Sequence, residues 1–102
     1  MIILREKKKP LKESEFWTLE EFEAKIPAFR FKSITMNCNQ MVFSIDRLPS
    51  PTLQISSGKD VLVLYCGSID IRIENRSITA IERTSGCVVV ATNKKQILWL
   101  KF

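Results

Sequence analysis

Hydrophobic and polar positions near the start of the chain follow the spacing of a helix. Between residues 18 and 26 the apolar side chains recur three and four positions apart, on Leu19, Phe22 and Ile26. Thr18, followed three positions later by Glu21, forms a capping box, and Pro27 cannot continue a helix. The pattern therefore predicts one short helix over about residues 18–26.

After residue 28 the hydrophobic period changes to two, which is typical of strands. β-Branched and aromatic residues are enriched there, and turn residues interrupt them at short intervals. The candidate strands are 29–36, 41–46, 52–56, 61–66, 69–74, 77–83, 87–92 and 97–101. We expect a mainly β domain with a minor α part. It would be a small antiparallel barrel, or a roll or sandwich, of about seven or eight short strands with one N-terminal helix.

Short turns predict which residues pair across neighbouring strands. Two-residue turns at Gly67-Ser68 and Ser85-Gly86 give the pairs Cys66–Ile69, Leu64–Ile71, Leu62–Ile73 and Ile81–Val90. A further turn at Asn75-Arg76 would place Ile78 opposite Ile73 in the same sheet. A bulge near Ala80 would then be needed to keep Ile81 in the core. We therefore expect a continuous meander through this part of the chain.

The last hairpin determines which surface its aromatic residue occupies. A two-residue turn at Asn93-Lys94 would pair Ile97 with Val90 and Trp99 with Val88, which assigns Ile97 and Trp99 to the core face. The opposite surface would still carry apolar side chains, on Val61, Val63, Tyr65, Val89, Leu98 and Leu100. A single sheet with one face in water should alternate more cleanly than this. Something must therefore cover the second face.

The predicted helix, the first strands or another protein chain could cover that second face. The last of these leads to an interface hypothesis, in which the contacting residues are Val63, Tyr65, Val89, Leu98, Leu100 and Trp17. On this hypothesis the chain is a non-enzymatic binding module that acts through its apolar second face or an open strand edge. Its partner is a protein, and a second copy of the chain, in a homodimer or larger homo-oligomer, is one candidate.

Charge distinguishes the N-terminal end from the rest of the chain. The sequence of 102 residues has a net charge of +5. Residues 1–12 hold five basic residues and one acidic residue, a net charge of +4, and the Glu-rich predicted helix follows them. We therefore expect a basic N-terminal segment over residues 1–12 and a single mainly β domain over residues 13–102.

This basic surplus supports an alternative function, that of a nucleic-acid-binding module. Its candidate phosphate contacts are Lys7, Lys8, Lys9, Arg30, Lys32, Lys94 and Lys95. Phe29 and Phe31 would offer surfaces for base stacking. Their alternation with basic residues is, however, also what the core and solvent faces of a strand produce.

Residues that carry catalysis or hold cofactors are scarce. The chain has no His, its three Cys form no C-x-x-C pair, and its three Gly are isolated. This composition argues against nucleophile–His pairs, a zinc site and a phosphate-cradling loop. An enzyme that uses carboxylates such as Asp70 and Glu74 is the least favoured alternative, because Arg72 between them suggests a solvated charge ladder. We expect no metal and no small-molecule cofactor.

Apolar runs in the chain are short. None approaches the roughly 20 residues that cross a bilayer, and charged residues directly follow the apolar residues 1–4. The chain therefore lacks the apolar stretch of a secretory signal. We expect no membrane contact and a cytoplasmic location.

Overall fold

The structure is a computed structural model that describes residues 14–48, 52–67 and 69–102. These residues contain nine strands and one short helix. The helix, α1, spans Leu19–Lys25 and continues into a 3-10 turn at Ile26–Ala28. The strands are β1 (Glu15–Phe16), β2 (Ser33–Cys38), β3 (Met41–Ile45), β4 (Gln54–Ser57), β5 (Val61–Cys66), β6 (Ile69–Glu74), β7 (Ile78–Arg83), β8 (Cys87–Thr92) and β9 (Gln96–Lys101). The predicted mainly β architecture is confirmed, whereas the basic segment 1–12 lies outside the described residues.

The predicted helix forms because both halves of its capping box are in place. The Glu21 amide donates to the Thr18 hydroxyl at 3.1 Å, and the Thr18 amide donates to the Glu21 carboxylate at 2.8 Å. Phe22 and Ile26 are fully buried in the core, and Leu19 packs against it. A helix this short is marginal alone, so its apolar stripe stabilises it by docking onto the sheets.

The strands form two antiparallel sheets that lie on either side of one core. The larger sheet has six strands in the order β1-β7-β8-β9-β2-β3, and the smaller has three in the order β4-β5-β6. The core takes side chains from both sheets and from the helix. The sheets do not close into a barrel, so of the two predicted architectures the layered one is present.

Two of the predicted hairpin registers are confirmed and one connection is wrong. β5 pairs with β6, and β7 with β8, in the predicted registers. β6 and β7, however, belong to different sheets, so Ile78 does not face Ile73. The connecting residues form a 3-10 turn, Asn75–Ser77, in which the buried Ser77 hydroxyl donates to the Glu74 carbonyl at 2.7 Å. This turn carries the chain from one layer to the other.

The predicted register of the last hairpin is wrong by one residue. Val90 faces Leu98 and Val88 faces Leu100, because the loop has three residues, 93–95, and Lys95 adopts a left-handed φ of 61°. Type I turns followed by a left-handed residue are the usual three-residue hairpin loops. A shift of one position moves every side chain of a strand to the other face. Leu98 and Leu100 therefore fill the core, and Ile97 and Trp99 lie on the outer surface.

An aromatic cluster replaces the predicted start of the first long strand. β2 begins at Ser33 rather than at residue 29, and the preceding Phe29 and Phe31 rings stack at 5.8 Å. The ring of Phe102, at the end of the chain, meets Phe29 edge-to-face at 4.9 Å, and the Arg83 guanidinium lies 5.8 Å from the centre of the Phe102 ring. These phenylalanines therefore pack within the domain.

The observed register of β9 makes a direct stability prediction. Leu98→Ala should lower the free energy of unfolding by about 2–5 kcal/mol, because it empties a fully buried site. Ile97→Ala, on the half-buried outer surface, should cost less than half as much. Urea denaturation of the two variants measures both values. A larger loss for Ile97→Ala would contradict the register.

The conformation of Gly67 makes a second prediction. Gly67 has a φ of 65° at the β5–β6 turn, where an L side chain is strained, so Gly67→Ala should destabilise the fold by about 1–2 kcal/mol. Gly86 has open space around it and no positive φ, so Gly86→Ala should change stability by less than about 0.5 kcal/mol. Thermal and urea unfolding would detect the difference, and equal effects would contradict the turn geometry.

Candidate protein-interaction surface

Four of the six residues that the interface hypothesis selected are buried. Leu98 and Leu100 are 1% and 0% exposed and belong to the core, because the last hairpin has the shifted register. Trp17 is 7% exposed, and its indole N–H donates to the Glu15 carboxylate at 2.9 Å. Val63 is buried on the outer face of β5, between Ser56 and Arg72 of the neighbouring strands. None of these four side chains offers an accessible contact surface.

The two remaining residues lie on opposite outer surfaces of the domain. Tyr65 is exposed on the outer face of the small sheet, and Val89 is half-buried on the outer face of the large sheet. The structure therefore does not bring the predicted set together. Val89 instead has Trp99 as its cross-strand neighbour, and Ile97 lies on the same outer face.

Exposed apolar side chains are concentrated on β3. Among the described residues, the large hydrophobic side chains that are exposed are Phe16, Met41, Val42, Phe43 and Tyr65. Three of these five are consecutive, with exposures of 75% for Met41, 69% for Val42 and 50% for Phe43. Apolar patches of this kind on otherwise soluble domains mark interaction sites. β3 is therefore the candidate site.

The position of β3 at the rim of the large sheet explains the exposure. Among the described strands, β3 pairs only with β2, in a register that sets Ile45 opposite Ile34 and Phe43 opposite Met36. Ile34 is fully buried, so Met41, Phe43 and Ile45 lie on the core-facing side of the sheet. The small sheet has half as many strands as the large one, and Met41 and Phe43 remain uncovered.

The backbone of β3 also has no strand on one side within residues 14–48, 52–67 and 69–102. A two-residue turn, at Asn39 and Gln40, joins β2 to β3, and its closing pair is Cys38 with Met41. Closing pairs of such hairpins exchange hydrogen bonds, and bonded residues then alternate along the strand. The amide and carbonyl groups of Val42 and Ser44 therefore point away from β2. We call this outward backbone, together with the side chains of Met41, Val42 and Phe43, the β3 edge.

The other three sheet edges carry features that discourage pairing with another chain. β1 has only two residues. β4 is short, presents the exposed polar residues Gln54 and Ser56, and packs near the 3-10 turn at Ile26–Ala28. β6 alternates apolar side chains with charged ones on Asp70, Arg72 and Glu74. The β3 edge has no charge, no proline and no cover within the described residues.

The sequence of β3 carries a signal of its exposed surface that the interface hypothesis does not include. Residues 38–45 contain no charged side chain, in a chain of which 26% is charged. The alternation of this segment is typical of any half-buried strand. Only the order of strands in the sheet shows that this one lies at an edge, and neighbours in that order are far apart along the chain.

The four described basic residues of the nucleic-acid hypothesis lie in two separate groups. Arg30 and Lys32 are exposed just before β2, whereas Lys94 and Lys95 are exposed in the β8–β9 loop beyond the other end of that strand. Six strand residues separate the two groups, roughly 20 Å. Lys7, Lys8 and Lys9 lie outside the described residues. Lys94 also forms an ion pair with Glu74.

The carboxylates of the enzyme hypothesis are used in surface ion pairs. Asp70 lies 3.8 Å from the Arg72 guanidinium. The hydrogen bond from Lys94 and its charge lower the pKa of Glu74 below its ordinary value. A general acid at neutral pH needs the opposite shift. Within residues 14–48, 52–67 and 69–102, no group of three acidic or Cys side chains is placed to hold a metal ion.

Membrane and family comparisons add little to this picture. No helix in the described part of the chain is long and apolar enough to cross a membrane. No protein family model matches the chain, and no curated protein or solved structure is significantly similar to it. The case for a function therefore depends on the geometry of the β3 edge.

The Glu74–Lys94 ion pair makes a testable prediction about charge. Lys94→Met should raise the pKa of Glu74 towards its ordinary value, because Lys94 is the main group that lowers it. Any stability from the pair is present at neutral pH and is lost as the pH falls through the lowered pKa, when Glu74 is protonated. NMR titration of the Glu74 side-chain carboxyl carbon measures the shift. Lys95→Met is the matched control and should leave this pKa unchanged; an equal shift in both variants would contradict the pairing.

Proposed function

We propose that the chain is a non-enzymatic protein-interaction module that binds its partner by adding a strand to the β3 edge. The observation that carries the proposal is that open backbone groups and exposed apolar side chains occur together on one short strand. The outward amide and carbonyl groups of Val42 and Ser44 lie beside the largely exposed side chains of Met41, Val42 and Phe43. Strand addition uses both features, since the backbone provides affinity and alternate side chains provide specificity.

The contrast between the four sheet edges supports this choice of surface. Exposed hydrophobic strand edges favour unwanted pairing, and proteins ordinarily shorten, charge or cover them. β1, β4 and β6 follow that rule, and β3 does not. A binding role explains why one edge is left open while the others are protected.

The nucleic-acid alternative has weaker support in the structure. Its described basic residues lie at two ends of β2, and one of them, Lys94, is paired with Glu74. A basic net charge by itself produces non-specific attraction to polyanions. Binding of this kind would weaken steeply with salt and would not depend on the uncharged β3 edge.

A comparative pull-down tests the proposed function. The tagged full chain, immobilised in extract of its native cells after nuclease treatment, should retain a protein that the Phe43→Lys variant loses by about tenfold or more. A lysine there puts a charge into the paired apolar surface, whereas Phe43 is half exposed and contributes little to folding. Quantitative mass spectrometry measures the recovery.

Gln54→Lys is the matched control for this experiment. It adds the same charge to an exposed position on β4, the edge of the other sheet, so it should retain the partner as the unmodified chain does. Circular dichroism and urea midpoints confirm that both variants fold. Equal recovery with Phe43→Lys and Gln54→Lys, or no recovered protein that depends on the β3 edge, would contradict the proposal.

A further inference from the structure

We propose that the β3 edge pairs with the β3 edge of a second copy of this chain, antiparallel and about a two-fold axis at Phe43. This inference rests on the proposed function, because it names the partner of the same edge. The twelve strands would form one continuous sheet in which β3 and its symmetry mate are the central pair. Such an interface is isologous, so each copy contributes the same surface.

The backbone geometry fits this two-fold pairing. In the monomer the groups of Val42 and Ser44 point outward, and those of Phe43 point towards β2. A two-fold axis at Phe43 sets Val42 opposite the partner subunit's Ser44. Each of the two resulting pairs exchanges two hydrogen bonds, and Phe43 forms the non-bonded pair at the centre. All four outward groups on each copy are then satisfied.

The apolar pattern of β3 is symmetric about the same residue. Met41 and Ile45 lie two positions before and after Phe43 and on the same core-facing side. The pairing therefore sets Phe43 against the partner subunit's Phe43, and Met41 against the partner subunit's Ile45. Non-bonded antiparallel pairs bring side chains closest together, and aromatic pairs across strands are stabilising. A strand from another protein would match β3 equally well only if it carried apolar side chains at the same three alternate positions.

The distribution of charge along β3 also permits pairing with a second copy. Each chain carries a net charge of +5, but no charged residue occurs between positions 38 and 45, so the pairing brings no like charges together at its centre. Asp46 directly follows β3 and lies opposite the partner subunit's Gln40. The Asn39 amide of each copy donates to the Lys95 carbonyl at 3.1 Å, so the partner subunit's Lys95 would lie about three strand spacings, roughly 14 Å, from Asp46. Arg47 directly follows Asp46, so the end of β3 carries no net charge and the pairing adds no strong repulsion there.

The size of the contact sets the expected strength. A pairing of two five-residue strands lies at the small end of specific interfaces, below about 1,200 Å² in total. Interfaces of this size are commonly reversible. We therefore expect a dimer that dissociates in the micromolar range, on the order of 1–100 µM, rather than an obligate one.

Sedimentation equilibrium of the full chain tests the dimer. The unmodified chain should sediment as a reversible monomer–dimer system, and Phe43→Lys and Phe43→Glu should each weaken dimerisation about tenfold or more, because like charges then face each other at the axis. Mixing the two variants should restore a one-to-one dimer, since Lys then faces Glu. Gln54→Lys and Gln54→Glu, on β4, should leave dimerisation unchanged.

Disulfide formation between engineered cysteines tests the register of the two β3 strands directly. Phe43→Cys should form a disulfide with the partner subunit's Cys at the same position under mild oxidation, because non-bonded pairs have Cα atoms about 4.5 Å apart. Val42→Cys should not link to its own symmetry mate, since the two Cα atoms are two residues and one strand apart, roughly 8 Å, which is beyond the reach of a disulfide. Peptide mapping without reduction identifies the linkage against those of the native cysteines.

The outcomes separate this inference from the proposed function. A chain that stays monomeric well above 100 µM, or that dimerises with no effect of the Phe43 variants, overturns self-pairing. The pull-down decides the proposed function independently, because a partner that depends on the β3 edge can be recovered from extract even when the purified chain is monomeric. A restored dimer in the Lys–Glu mixture, with the disulfide at position 43, supports the two-fold pairing.

Discussion

The structure depends on a mismatch between the widths of its two layers. Six strands form one sheet and three form the other, and both must bury one face around the same core. The helix stripe and the aromatic residues near Trp17 and Phe102 pack against this core and add to its cover. At the β3 end no described residue does so, and the core-facing side chains of Met41 and Phe43 remain in solvent. The exposed surface is thus a continuation of the core.

Local interactions made much of this fold predictable from the sequence. The capping box at Thr18 fixes the start of the helix, and Pro27 ends its regular part. The alternating pattern locates most of the strands, and the turn at Gly67 sets the register of β5 with β6. Each of these depends on residues that are close along the chain, so propensity and turn chemistry decide them.

The features that were not predictable depend on one backbone angle or on distant pairing. Lys95 adopts a left-handed φ, which residues with a side chain rarely do. This conformation gives the last loop three residues instead of the predicted two. Because of the extra residue, Leu98 lies in the core and Trp99 on the surface, the reverse of the prediction. Leu98 and Leu100, which the interface hypothesis placed on the surface, are therefore buried. The location of the candidate site depends on distant pairing. The edge position of β3 follows from the pairing of β2 with β9, which no local pattern specifies.

An open apolar edge raises the question of why association would stop at two copies. Open edges ordinarily template further strands, and a fibre results when the contact does not close. The two-fold pairing proposed for β3 uses the same edge on both molecules, so neither copy retains a free β3 edge. The joined sheet would end in each copy at the two-residue β1, which pairs with Glu82 and Arg83, and at the rest of β7, where a bulge lies between Ile78 and Ala80. Bulges of this kind discourage pairing at an edge. β4 and β6 belong to the smaller sheet and carry polar or charged side chains. Among the described strands, self-pairing would therefore cover the edge that lacks protection without exposing another. In this way β3 can stay free of charge while the assembly stops at two copies.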